Sequence, residues 1–194
     1  MRIILASKSP RRIEILEAVG AIFEVIPANI DESVDENILP HKAVCEISER
    51  KARYVANLLS NPKDTLIISA DTVVVFDGKI IGKPKDKQHA KEILTLLSGN
   101  SHFVYTGFTL YKDGNYFTDY ESTKVDFRVL SEEEIDAYIE SGEPFDKAGA
   151  YGIQEKGALF VSGIHGDYYN VMGLPICRLA EECKNKFGTN IENI

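Results

Sequence analysis

The chain has 194 residues, a hydrophobic fraction of 44% and a formal net charge of −8. That length suits one domain, or one domain with a cleft between two lobes, and the composition is enough for a packed core. The acidic balance argues against a duplex nucleic-acid binder, and neither a membrane-spanning apolar run nor a signal-peptide apolar region is present.

Arg2-Ile3-Ile4-Leu5 reads as a short buried strand. Ser9 is a good N-cap and Pro10 suits the first position of the helix that follows, with Ile13, Ile15, Leu16 and Val19 on its apolar face. Residues 21–26 read as a second strand. An acidic loop over 27–40 carries Asp31, Glu32, Asp35 and Glu36. A helix is predicted over 41–59, ended by Ser60-Asn61-Pro62. The long β-type run 66–76 turns at Asp77-Gly78 into Lys79-Ile80-Ile81. Residues 89–97 read as helix, closed by Ser98-Gly99-Asn100. Two long strands, 103–111 and 116–130, are joined at Lys112-Asp113-Gly114-Asn115. Ser131 to Glu134 is a capping-box start for a helix reaching Ser141-Gly142. The glycine-rich segment 147–173 reads as loop with short strands, and Pro175 opens a last helix to about residue 187. Crossovers and hairpins together predict an α/β fold with a mixed, partly antiparallel sheet flanked by helices.

Cys45, Cys177 and Cys183 are odd in number and form no C-x-x-C pair, which fits a reducing cytoplasm and neither a disulfide framework nor a zinc site. His41, His89, His102 and His165 lack ligand spacing and read as surface or loop residues.

Several residues break local rules. Lys8, Arg11 and Arg12 gather cations at the positive end of a helix dipole, where each costs a few tenths of a kcal/mol, up to about 1. The segment is either a phosphate site or a surface helix start with solvated arginines. Asp71 interrupts the apolar run Leu66 to Val75, so it is paired, protonated, metal-bound, or turned to water at a strand end or bulge. Lys51 lies in the stripe Val44, Ile47, Tyr54, Val55 and Leu58. On its own it is expected to snorkel to the edge, the other choice being to point into a cleft. Glu32 is a solvated loop charge unless something else claims it. Gly82-Lys83-Pro84-Lys85 offers two cations on a rigid turn, or only a solvated turn. The glycines of 146–154 permit close approach of a ligand, or serve structure alone. Gln154 can offer one donor and one acceptor to a base edge. Cations for phosphates, two carboxylates for a divalent metal and a neutral amide for a base make the inventory of a nucleotide hydrolase. GxxxxGK[ST], GxGxxG and G-x-S-x-G are all absent.

LASKSPRR at 5–12, the Asp31-Glu32 pair, ERKA at 49–52, SADTVV at 69–74, GKP at 82–84, EPFDKAGAYGIQ at 143–154 and NVMGLP at 170–175 resemble the Maf (septum-formation inhibitor-like) nucleotide pyrophosphatases. The blocks run in order over nearly the whole chain. The resemblance implies a single domain, 1–194, with a two-lobed fold like the inosine triphosphate pyrophosphatases and a site in the central cleft. It implies hydrolysis of a nucleoside triphosphate to monophosphate and pyrophosphate with Mg²⁺ or Mn²⁺. By motif, Asp71, Glu32 and Lys83 are catalytic, and Glu32 and Asp71 face the metal. Ser7, Arg11, Arg12 and Lys51 hold phosphates; Arg11, Thr72 and Gln154 set specificity. Thr72 and the GIQ ending resemble the branch acting on dTTP and UTP rather than 7-methyl-GTP. The resemblance also implies a homodimer, and no membrane partner is expected. The alternatives are a pyrophosphatase for other modified nucleotides and a non-enzymatic nucleic-acid-binding or septum-regulating protein.

Overall fold

The first strand, β1 (Arg2–Leu5), is buried through Ile3, Ile4 and Leu5, the pattern of a strand covered on both faces. In the computed structural model, which describes residues 1–35 and 37–191, it leads into helix α1 (Pro10–Ala18). Pro10 sits at the start of α1 as expected, but the Ser9 side chain makes no cap. Ser7 Oγ instead accepts from the Ser9 backbone N–H at 3.2 Å. The buried face of α1 is Arg12, Ile15 and Leu16; Val19, expected inside, is 36% exposed.

Strand β2 shrinks to Glu24–Val25, parallel to β1 at the sheet edge. Helix α2 (Pro40–Leu58) buries Ala43, Val44, Ile47, Ser48, Lys51, Ala52, Val55 and Ala56. Strand β3 (Thr65–Phe76) pairs parallel with β1 and antiparallel with β4 (Lys79–Ile81). The β3–β4 turn has positive φ at Asp77 and Gly78, the two-residue form that matches strand twist. Helix α3 (Lys87–Leu97) is capped by Asp86, whose Oδ1 accepts from His89 N at 2.8 Å. Strands β5 (Ser101–Lys112) and β6 (Asn115–Phe127) form the second expected hairpin around Asp113 and Gly114, again with positive φ at both. Strand β6 stops three residues earlier than predicted, at a register shift between Asp126 and Phe127.

Helix α4 (Glu132–Glu140) carries the full predicted capping box between Ser131 and Glu134. After a 3-10 turn at Glu143–Asp146, the glycine-rich segment contains two more such turns and β7 (Val161–His165), antiparallel to β6. It also contains a helix the sequence did not announce, α5 (Tyr168–Met172), too short to show a helical period. Asn170 anchors it, donating to the Val104 carbonyl and Thr123 Oγ1, each at 3.0 Å. Helix α6 (Ile176–Phe187) ends at Gly188 in the left-handed conformation. The sheet order is β2-β1-β3-β5-β6-β7, with β4 on β3, so the mixed α/β reading holds.

The chain divides into two compact units: Met1–Asp71, Thr106–Glu121 and the chain from Gly173 onward form the first, Thr72–Tyr105 and Ser122–Met172 the second. In the first, Ile4, Ala6, Val55, Ala56, Ile67 and Tyr111 form a core cluster. A Cβ on Gly107 would fall 2.4 Å from the Val44 carbonyl carbon, so α2 rests directly on β5. The second unit is built on aromatic rings: His102, Phe127, Tyr151, Phe160 and Tyr138 meet edge-on, with centroids 4.7–6.0 Å apart.

His102 is therefore a core residue, not the loop residue expected. It is 1% exposed, and its Nε2 lies 2.8 Å from Tyr151 Oη. Burial pushes its pKa down to about 4. An unfolded chain binds that proton near pH 6.5, so stability declines as pH falls from 6.5 toward 4. The loss from this ring is about 3 kcal/mol. Denaturant midpoints of His102→Leu against the parent over pH 4–7 test this. The variant is expected to be weaker at pH 7 but to lose less on acidification.

Candidate active site

In the first unit one ammonium joins two carboxylates. Lys51 Nζ lies 2.8 Å from Asp71 Oδ1 and 2.7 Å from Glu32 Oε1. The Lys51 side chain is 9% exposed, so the snorkelling expectation fails. Asp71 is not at a strand end; it lies inside β3 and is 9% exposed. The apolar interruption was an ion pair, and Glu32 is no idle loop charge. A buried carboxylate and a buried lysine each need the other, since either alone would carry an uncompensated charge.

Three devices place these groups. Ser48 and Lys51 are one helical turn apart on α2, while Ser69 and Asp71 share a face of β3. Ser69 Oγ donates to the Ser48 carbonyl at 2.6 Å, and Ser48 Oγ meets Thr109 Oγ1 at 3.0 Å. That hydroxyl contact fixes the register in which Lys51 reaches Asp71. Glu32 is set by its neighbours: Ser33 donates to Asp31 through both N–H (2.9 Å) and Oγ (2.6 Å), an Asx turn. Those bonds, the hydroxyl first, lower the Asp31 carboxyl pKa. Arg50 Nη2 then donates to the Ser33 carbonyl at 2.8 Å, tying the loop to the helix that carries Lys51. Ser48, Ser69, Asp31 and Arg50 were not singled out as supports by sequence reasoning. The Asp31-Glu32, ERKA and SADTVV blocks contained three of them, Asp31, Arg50 and Ser69, without marking their part. Of the other two acids of this loop, Asp35 accepts from Asn37 N at 2.7 Å, and Glu36 lies outside the described residues.

The two arginines of α1 separate. Arg12 is 8% exposed and turned inward, with Nε donating to the Gly173 carbonyl at 2.8 Å and Nη1 to Ser7 Oγ at 3.0 Å. Burial lowers its pKa, and the charge of Asp71 opposes that shift. The guanidinium stays charged regardless, because its ordinary value is so high. Arg11 is half-buried. Ser7 is 7% exposed and accepts from both Arg12 and Ser9.

The second unit holds the remaining candidates. Thr72 is half-buried, while Lys83 and Gln154 are exposed. Lys83 stands between Gly82, whose carbonyl accepts from Gly149 N at 3.2 Å, and the buried Pro84. The loop glycines serve close packing within the chain. A Cβ on Gly149 would lie 2.8 Å from Val74 Cγ2, and one on Gly152 2.6 Å from Lys147 Cε. That is the structural reading of this loop.

Among the described residues no three acidic, histidine or cysteine side chains form a metal cluster. Glu32 and Asp71, brought together on the Lys51 ammonium, are nonetheless the kind of oxygen donor through which Mg²⁺ or Mn²⁺ binds alongside substrate phosphates. Glu32 and Asp71 would hold it. A cysteine nucleophile finds no support at Cys45, whose thiol burial pushes up to about 11.

The family model described as Maf-like protein matches residues 2–186, a span containing every residue of both sets. The chain belongs to the Maf-like family. A dTTP/UTP pyrophosphatase of Bacillus anthracis is 49% identical over 183 residues, covering 94% of this chain and 94% of that protein. A dTTP/UTP pyrophosphatase of Bacillus cereus is likewise 49% identical with the same coverage. Among solved structures, the Staphylococcus aureus Ham1 protein aligns with a TM-score of 0.44 and 14% identity, over 66% of this chain and 72% of that one. The Maf-like motif blocks quoted from the sequence contain Ser7, Arg12, Lys51 and Asp71, all of them buried polar side chains.

Proposed function

We propose that this chain is a nucleoside triphosphate pyrophosphatase that converts dTTP and UTP to the monophosphate and pyrophosphate. The observation that carries the reading is the Lys51 ammonium shared between Asp71 and Glu32 at 2.8 and 2.7 Å. It balances the charge of a nearly buried carboxylate and holds it in place, as a positioned general base requires. The substrates come from the names of the 49% identical relatives. One family model spans both compact units, which supports reading 1–194 as one functional domain.

In this reading Asp71 takes a proton from water as that water attacks the α-phosphorus. The bond from the α-phosphorus to the bridging oxygen breaks, and the oxygen leaves with pyrophosphate. A Mg²⁺ or Mn²⁺ ion on Glu32 and Asp71, when bound, lowers the water's pKa and neutralises phosphate charge. Lys51 spends two of its three N–H donors on the carboxylates and has the third for a phosphate oxygen. Ser7 accepts two hydrogen bonds and keeps its hydroxyl proton to donate. Arg11 and Lys83 bind phosphate oxygens directly, and Arg12 adds positive charge while remaining on Ser7 and Gly173. The Gln154 amide N–H donates to O4 of uracil or thymine, and its carbonyl accepts from N3–H; Arg11 and Thr72 complete the specificity set. No helix among the described residues is long and apolar enough to cross a membrane. The free Cys45, Cys177 and Cys183 support a cytoplasmic placement. A homodimer is proposed on the family resemblance alone.

Pyrophosphate release from canonical and modified triphosphates, with Mg²⁺ or Mn²⁺ and with excess EDTA, tests the reading. UTP and dTTP are expected to exceed ATP, GTP and 7-methyl-GTP on the order of 10²-fold, with no turnover in EDTA. Turnover of none of them, together with salt-dependent DNA binding, would establish the non-enzymatic alternative instead.

A further inference from the structure

The second unit contains a polar network that neither the phosphate nor the carboxylate chemistry uses, and it holds the backbone on both sides of Gln154. Glu143 Oε1 accepts from Tyr138 Oη at 2.7 Å and from Gly157 N at 3.3 Å, while Oε2 accepts from Lys156 N at 3.3 Å. Tyr138 Oη in turn accepts from Gly152 N at 3.1 Å. Backbone N–H groups on both sides of Gln154 therefore end on one carboxylate and the phenol bonded to it. Tyr138 is 3% exposed and Glu143 half-buried, so the phenol end of this pair is an internal fixture. Lys147 Nζ donates to the Glu143 carbonyl and to Asp146 Oδ1, each at 2.8 Å, which holds Glu143 from its backbone side.

The loop is closed at its base. A Cβ on Gly157 would fall 2.5 Å from the Gly152 carbonyl oxygen, so the two strands of the loop touch there, backbone to backbone. Ile153 is buried beneath the tip, and Gln154, Glu155 and Lys156 are exposed on it. A short loop pinched by two glycines and clamped from within presents Gln154 from a defined place.

We propose that Glu143, with Tyr138 as its relay, is a positioning residue for Gln154 and thereby sets selectivity for the base. The proposal rests on the reading of Gln154 as the residue that meets the base. An amide distinguishes a uracil edge from a purine edge only if its donor and acceptor are held to about 0.5 Å. A displacement of about 1 Å is enough to cost on the order of 10²-fold in rate.

The test compares Glu143→Gln, Tyr138→Phe, Gln154→Ala and the double variant Glu143→Gln/Gln154→Ala with the parent chain. Each is assayed for kcat and KM on UTP and GTP, for inhibition by inorganic pyrophosphate, and for its denaturant midpoint. Glu143→Gln and Tyr138→Phe are expected to lower the UTP:GTP ratio of kcat/KM by about tenfold or more, chiefly through KM for UTP. Pyrophosphate inhibition stays within about twofold of the parent, and the double variant is no worse than Gln154→Ala. A merely structural network would lower the midpoint and slow both substrates alike. An unchanged ratio in Glu143→Gln and Tyr138→Phe, beside a changed ratio in Gln154→Ala, overturns the positioning role and leaves the base contact standing. An unchanged ratio in Gln154→Ala overturns the base contact and the positioning role with it. Should Glu143→Gln fail to fold, Tyr138→Phe, which removes a single hydroxyl, decides the matter.

Discussion

Asp71→Asn is expected to lower kcat for UTP by about 10²–10⁴-fold, the usual contribution of a general base. The substitution keeps the shape of the side chain and an acceptor oxygen for Lys51 Nζ, now 2.8 Å away. Lys51 also retains Glu32 as its counter-ion at 2.7 Å, so the ammonium is not left alone. The fold should therefore survive, and affinity for a non-hydrolysable UTP analogue should stay within about twofold. Single-turnover pyrophosphate release and a direct binding titration separate the two effects. An undiminished kcat in the variant would remove Asp71 from the reaction and reduce the ion pair to a structural tie.

Lys51→Met damages more than one property. Methionine matches the lysine stem in length and fills the same space in the α2 face, so the change isolates the charge. Removing one partner of a buried pair costs about 3–5 kcal/mol when the other is left uncompensated. Here the Asp71 side chain is 13% and that of Glu32 55% exposed, so water recovers part of that. A loss of about 2–3 kcal/mol in denaturant unfolding is the expected result. Turnover should fall at least about 10²-fold, because Asp71 and Glu32 then repel each other out of the position the ammonium imposed. Lys51→Arg is not expected to restore it, since a planar fork cannot occupy the point position between two oxygens that an ammonium does. Full activity in Lys51→Met would show that the two carboxylates work independently of their bridge.

Several site residues were marked in the sequence by the local rules they break. A carboxylate inside an apolar strand and a lysine inside an apolar helical stripe were both visible, yet each had a blander explanation. Neither residue carries information about the other, because their pairing depends on the depth at which α2 sits on β3 and β5. That depth is set by Gly107, which admits the α2 backbone, and by the Ser69–Ser48 hydrogen bond. Arg11 and Arg12 look interchangeable in the first helical turn. They part only because the side of α1 bearing Arg12 faces its own unit, where the Gly173 carbonyl accepts from it. His102 shows no apolar periodicity of its own, and its burial follows from the aromatic rings assembled around it.

The amino-acid order by itself determined the mixed α/β succession, both two-residue hairpins, the capping box of α4 and the motif blocks that mark the family. These depend on residues near one another in the chain, where turn stereochemistry and hydrophobic period act directly. Only the tertiary structure decided that Lys51 joins Asp71 across 20 positions, that Arg12 closes on Gly173 across 161, and that Glu143 reaches Gly157 across 14. Such partnerships arise from packing register, and burial then makes each unpaired charge or donor too costly to leave unanswered.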